Sequence, residues 1–138
     1  MRRQFRAGPD ERERIRRTLV TVLESVPDVE FAWLHGSFLA ADKFRDIDIG
    51  VHLSATAEGR VQRGLELAVR LDQEIGFPID VRVLNDAPVT FLFHVFRAGR
   101  LLLSRNDEGL ADLMERTERE YLDAAPLLRP ATIEAYGA

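Results

Sequence analysis

The chain has 138 residues, 46% of them hydrophobic and 30% charged, proportions that fit one globular domain and exclude a disordered or two-domain chain. Its 19 basic and 23 acidic residues leave a formal charge of −4, which argues against a general electrostatic grip on nucleic acid. With no cysteine there is no disulfide, thiolate zinc site or cysteine nucleophile, and with neither a membrane-length apolar run nor a secretory-type start the expected location is cytoplasmic.

Asp10 precedes a charged run in which Ile15, Leu19, Val22 and Val26 recur at helical spacing, and Pro27 ends it. Next, 29–35 is apolar and rich in aromatic and β-branched residues, so it predicts a buried strand that delivers Gly36 and Ser37 at its end. From Asp46 to Leu53 the residues alternate, which puts Asp46, Asp48 and Gly50 on one strand face and Ile47, Ile49 and Val51 on the other. A second helix is predicted over 57–74, with Val61, Leu65, Ala68, Leu71 and Ile75 as its apolar stripe and Gly76 and Pro78 closing it.

Ile79, Val81 and Val83 then alternate with Asp80, Arg82 and Leu84, a third strand with Asp80 on its more polar face. A short helix is predicted from Pro88 to about Ala98, a brief strand over 101–103, and a last amphipathic helix from Asn106 to about Tyr121. The tail from residue 123 is apolar but broken by Pro126 and Pro130, so it is expected to dock in extended form. The fold class is therefore α+β: a small single domain with a mixed sheet and helices packed mainly on one face.

A glycine-serine turn, two carboxylates at i and i+2 and a third acid on another strand are the parts needed for metal-dependent nucleotidyl transfer. Without a Cβ, Gly36 lets backbone amides approach a phosphate, and the Ser37 hydroxyl can hold the β or γ group of a triphosphate. Asp46 and Asp48 supply the hard oxygens that Mg²⁺ prefers, while Asp80 can complete a metal site and accept the proton of an attacking hydroxyl. Taken singly, Gly-Ser and Asp-X-Asp are weak signals; their order along the chain makes the case.

These residues resemble a known family. Leu34-His35-Gly36-Ser37-Phe38 with Asp46-Ile47-Asp48-Ile49 and the later Asp80 looks like the polymerase-β-type nucleotidyltransferases, specifically the minimal nucleotidyltransferases paired with HEPN ribonuclease toxins. The stretches 79–88 and 99–102 share the resemblance, which spans about residues 10–122. It implies a palm-like fold and an antitoxin that uses MgATP to place AMP on a tyrosine of its toxin, with which it would form a hetero-oligomer. By motif position, Gly36 and Ser37 become the nucleotide-binding turn, and Asp46, Asp48 and Asp80 the metal-binding and catalytic acids.

The excursion between Ser37 and Asp46 is slightly shorter than usual in that family, and 38–41 lack the arginine and glycine that commonly follow the serine. Lys43 or Arg45 can substitute for the missing phosphate contact, and Arg82, which shares the parity of Asp80, can neutralise that acid or touch phosphate. Two other readings stay open: a catalytically silent antitoxin that neutralises its toxin by binding alone, and transfer to a small-molecule acceptor.

His35, His52 and His94 show no metal-ligand spacing, although His52 shares strand parity with the acids. Phe31 and Trp33 read as core rather than adenine-stacking residues. The run Phe91, Leu92, Phe93, Val95 and Phe96 exceeds what one face of a short helix buries, so either both faces are covered or some of it meets a partner.

Overall fold

A computed structural model describes residues 3–54 and 56–127. Its elements are β1 (Phe5–Arg6), α1 (Pro9–Glu24), β2 (Val29–His35), α2 (Ser37–Ala40), β3 (Lys43–Phe44), β4 (Ile47–Leu53), α3 (Ala57–Ile75), β5 (Ile79–Val83), α4 (Val89–Ala98), β6 (Arg100–Ser104), α5 (Asp107–Ala124) and a 3₁₀ turn, Ala125–Leu127. The main sheet runs β5-β4-β2-β6, with β4 antiparallel to β2, β6 antiparallel to β2, and β5 parallel to β4. It is a mixed sheet in an α+β domain, as the residue pattern predicts. Apart from it, β1 and β3 make a two-stranded antiparallel ribbon.

Local chemistry sets the element ends. Pro9 opens α1 where its missing N–H costs nothing, and Asp10 and Glu11 sit favourably at the positive end of the helix. Gly76 closes α3 in the left-handed conformation, φ 84°, donating its N–H to the Asp72 carbonyl. At the start of α5, Asn106 accepts a hydrogen bond from the Gly109 N–H at 3.0 Å.

Helices cover both faces of the sheet, not mainly one. On one side α1 (Ile15, Leu19, Leu23) and α3 (Leu67, Leu71, Ile75) pack on Ile47, Ile49, Val51 and Leu53 of β4 and on Ala32 and Leu34 of β2. On the other, Phe91 and Val95 of α4 with Leu110 and Leu113 of α5 cover Phe31, Trp33 and Leu84. The aromatic surplus of α4 follows from this: Phe96 lies 4.7 Å from Trp33, and Phe93 stacks on Tyr121 of α5 at 3.8 Å, so both helix faces are occupied.

Two expectations are corrected. The buried arc of α3 is Gly64, Leu67, Leu71 and Ile75, whereas Val61 and Leu65 are 71% and 61% exposed. Gly64 explains the rotation, because a Cβ there would come within 3.1 Å of Val83 and the glycine brings α3 close onto β5. The chain is also helical through Ala124 and turns in 3₁₀ form over Ala125–Leu127 where an extended tail was expected; the rest of that tail, 128–138, lies outside the described residues.

Candidate active site

Strand pairing brings together what sequence separation keeps apart. His35 on β2 is the register partner of Asp48 on β4, and Asp48 is the register partner of Asp80 on β5, so the three lie abreast on adjacent strands. Side chains of paired residues share a sheet face. This is the α4 side, and α4 and α5 cover only its β2 part there, leaving the acids open to a cavity of about 620 Å³. Asp46 stands in the bend just before β4, two residues from Asp48 and on its side.

Gly36 couples the turn to the acids. Its backbone (φ 79°, ψ −162°) lies in a region that L side chains avoid, and an added Cβ would overlap Asp48 Oδ2 and reach within 2.9 Å of its Cγ. The Asp48 carboxylate thus rests on the bare Cα of Gly36. Ser37 begins α2 and is exposed, and the Leu39 and Ala40 N–H groups bond back to the Gly36 carbonyl at 3.1 Å.

The Asp48 carboxyl is pushed up to about 7, first by burial, then by the negative charges of Asp46 and Asp80 and by its hydrogen bond with Asp46; Arg82 opposes the shift. Arg82 Nε donates to Asp80 Oδ2 at 3.2 Å, and its guanidinium lies 5.9 Å from the Phe91 ring centroid. Of the two roles open to Arg82, neutralising Asp80 is the one seen. Among the described residues no three acid or imidazole groups are close enough to hold a metal ion together. The pair Asp46 and Asp48 nevertheless fits Mg²⁺, which commonly takes one or two carboxylates and fills its shell with phosphate and water, and the crowded negative charge on Asp48 favours a cation there.

Of the expected residues, Asp46, Asp48, Asp80, Arg45 and Arg82 line the cavity. Gly36, Ser37 and Lys43 are not among its lining residues: Gly36 lies against Asp48, Ser37 follows it, and Lys43 is exposed on β3, paired with Arg6 of β1. Sequence reasoning missed Arg3 and Phe5, which form another wall of the cavity together with Pro78 and Ile79. A two-residue strand has no periodicity to detect. His35, weighed only as a metal ligand, is buried beside the acids with neither ring nitrogen hydrogen-bonded among the described residues, and burial holds its imidazole down to about 4. It therefore stands neutral beneath the site, edge-on to Phe91 at 5.6 Å. His52 is a structural histidine away from the acids, bonded through Nδ1 to Glu30 at 3.1 Å, and Phe31 and Trp33 are core residues.

Residues 17–108, which include every acid of the site, match the family model of polymerase-β nucleotidyltransferases. No curated protein matches the chain by sequence. Among solved structures, a chain of the MntA–HepT toxin–antitoxin crystal structure superposes with a TM-score of 0.66 at 21% identity, over 91% of this chain and 99% of that one. A chain from the complex of tri-AMPylated Shewanella oneidensis HEPN toxin with MNT antitoxin gives 0.67 at 22% identity, over 92% and 99%. One from a toxin–antitoxin structure with AMP-PNP gives 0.67 at 23%, over 89% and 98%. At such identities the superpositions establish a common fold; joined to the family match over most of the chain, they show that this protein belongs to the polymerase-β nucleotidyltransferase family.

Proposed function

We propose that the protein is a Mg²⁺-dependent adenylyltransferase that moves AMP from ATP to a tyrosine of a HEPN-type RNase, acting as the antitoxin of that toxin. The observation that carries the reading is Asp46 beside Asp48, with Asp48 seated on Gly36 and Asp80 in register opposite, in one open cavity. Solved relatives of the same fold include a complex with a tri-AMPylated HEPN toxin and one with AMP-PNP.

In the reaction, the tyrosine oxygen bonds to the α-phosphorus, the bond from that phosphorus to the bridging oxygen breaks, and pyrophosphate leaves with the bond electrons. Asp46 and Asp48 would hold the cation, which when bound would supply charge neutralisation at the reacting phosphate. Gly36 and Ser37 receive the triphosphate tail, the first by presenting bare backbone and the second by donating its hydroxyl. Asp80 accepts the phenol proton, which it can do once Arg82 exchanges its carboxylate partner for a phosphate. Arg45, exposed on the cavity wall, adds positive charge for the same phosphates. The family arginine absent after Ser37 would on this reading be replaced by Arg82 and Arg45 rather than by Lys43, which is not on the wall.

The test is incubation with α-labelled ATP, Mg²⁺ and the product of the neighbouring gene. Label is expected on the partner, and its absence under conditions where the two proteins bind would overturn the proposal. A second reading, neutralisation by occlusion, is favoured by one observation: Asp80 is engaged by Arg82 rather than gathered with the other acids. Changing Asp46 and Asp48 together to Ala separates the two, since protection from the toxin survives that change only if binding alone suffices.

A further inference from the structure

We infer that Arg12, on α1 and outside the family match, is a positioning residue that sets the geometry of the nucleotide and metal site by holding the segment between Ser37 and Asp46. The inference rests on the proposed Mg²⁺·ATP site. Its guanidinium caps the end of α2, donating through one terminal nitrogen to the Phe38 carbonyl and through the other to the Ala41 and Asp42 carbonyls at 3.1 and 2.9 Å. Its Nε donates to Ala7 at 2.9 Å, which ties in the segment after β1. The same plane lies 4.7 Å from the Phe38 ring centroid and 5.4 Å from that of Phe44. One side chain thus spans both ends of the excursion, Phe38 next to Ser37 and Phe44 two residues before Asp46.

The segment needs such a holder. Residues 38–44 contain neither glycine nor proline to dictate a turn, and a one-turn helix leaves its last carbonyls without helical partners. Phe44 is also the centre of an aromatic group, 4.8 Å from Phe38, 5.9 Å from Phe5 and 5.2 Å from Phe77. Phe77 lies three residues before Asp80 and Phe5 lines the cavity, so the anchor under Arg12 reaches every chain segment that carries an acid edge of the site. A lysine could keep the charge but not the planar group that bonds four carbonyls while stacking on a ring.

The experiment compares Arg12→Lys with Arg105→Lys. Arg105 is a matched staple, with its guanidinium bonded to the Leu23, Glu24, Val26 and Val29 carbonyls, but it lies far along β2 from the acids. Mg²⁺-dependent binding of a non-hydrolysable ATP analogue is measured by calorimetry, with amide hydrogen exchange over 37–46 and melting temperature read on the same samples. Arg12→Lys is expected to weaken Mg²⁺-dependent binding about tenfold, as loss of an outer support of a metal site typically does, and to speed exchange over 37–46. Arg105→Lys is expected to lower the melting temperature without either effect. If the two folded variants bind Mg²⁺ and nucleotide alike, the inference is overturned. If Arg12→Lys does not fold, Phe38→Leu, which removes the ring under the guanidinium and keeps the carbonyl cap, must still weaken Mg²⁺-dependent binding, and an unchanged affinity overturns the inference. Failure of the wild type itself to bind Mg²⁺·ATP would instead overturn the proposed site.

Discussion

The contact between Gly36 and Asp48 makes Gly36→Ala the most direct probe of the site. Two costs separate cleanly. Alanine at φ 79°, ψ −162° occupies a nearly glycine-only region, worth about 1–3 kcal/mol. Its methyl would also overlap Asp48 Oδ2, so the carboxylate must swing away, at about 0.5–1.5 kcal/mol if it leaves its rotamer well. A total of about 2–4 kcal/mol lowers the melting temperature of a chain this size by roughly 6–15 °C. Displacing Asp48 from Asp46 should lower kcat/KM for AMP transfer about 100-fold. Gly76→Ala is the internal control: Gly76 also has a positive φ, 84°, but no atom of the described residues lies within 4 Å of its added Cβ, so only the backbone cost applies and transfer should be untouched. Circular-dichroism melts of Gly36→Ala, Asp48→Ala and the double variant give the coupling between the two positions, expected near 1 kcal/mol because the clash disappears with the carboxylate. Zero coupling, or a Gly36→Ala protein that melts and turns over like wild type, would refute the packing of Asp48 on this turn.

Three further outcomes follow from the site. Asp48 is raised from 3.8 to about 7, so between those values the folded state binds more protons than the unfolded chain; its contribution to stability is full below pH 3.8 and lost as pH rises through 7. His35, lowered from 6.5 to about 4, has the opposite slope below pH 6.5, so the diagnostic is the difference between wild type and Asp48→Asn: the variant should gain melting temperature relative to wild type from pH 6 to 8, and Mg²⁺ should stabilise wild type more at pH 8 than at pH 6. Arg82→Gln should raise KM for ATP about tenfold through loss of a phosphate contact, yet shift stability by less than about 1 kcal/mol, because its ion pair with Asp80 is half-exposed; unchanged steady-state kinetics would remove Arg82 from the phosphate site. Ser37→Ala should raise KM with kcat nearly constant, and a drop in kcat alone would mean that the hydroxyl acts in the transition state rather than in ground-state binding.

The acids were legible because strand alternation is a local property: Asp46, Asp48 and Asp80 could be assigned a face from their immediate neighbours. The common register of Asp48 and Asp80 with His35 could not, since pairing is decided by how β2, β4 and β5 pack under α1 and α3. Arg12 sits among charged residues of a helix and reads as solvated; its partners are backbone carbonyls, three of them 26 to 30 residues away, which carry no side-chain signature. β1, α2 and β3 are two to four residues long, too short for any period to emerge. In α3 the pattern contained two overlapping apolar arcs, and the choice between them fell to Gly64 against Val83, a contact no helical wheel contains.

A cluster of like charges at the open end of a sheet works against the fold that holds it, and the surroundings of the acids answer that problem. Asp48 is hydrogen-bonded to Asp46 and crowded by the negative charges of Asp46 and Asp80, which would repel it were all three ionised. Protonation of Asp48 relieves the repulsion, the direction in which burial and these charges push its carboxyl, but this relief fades as pH rises. The segments that carry the acids are tied together by the ring group Phe5, Phe38, Phe44 and Phe77, whose four contacts contribute about 0.5–1.5 kcal/mol each beyond burial. Phe44 lies two residues before Asp46, and Arg12 contacts its ring, the Phe38 ring and the loop carbonyls. On the proposed Mg²⁺ site a cation would take over from the proton in neutralising Asp46 and Asp48, so loosening the anchor that holds the segment before Asp46 should lower metal affinity.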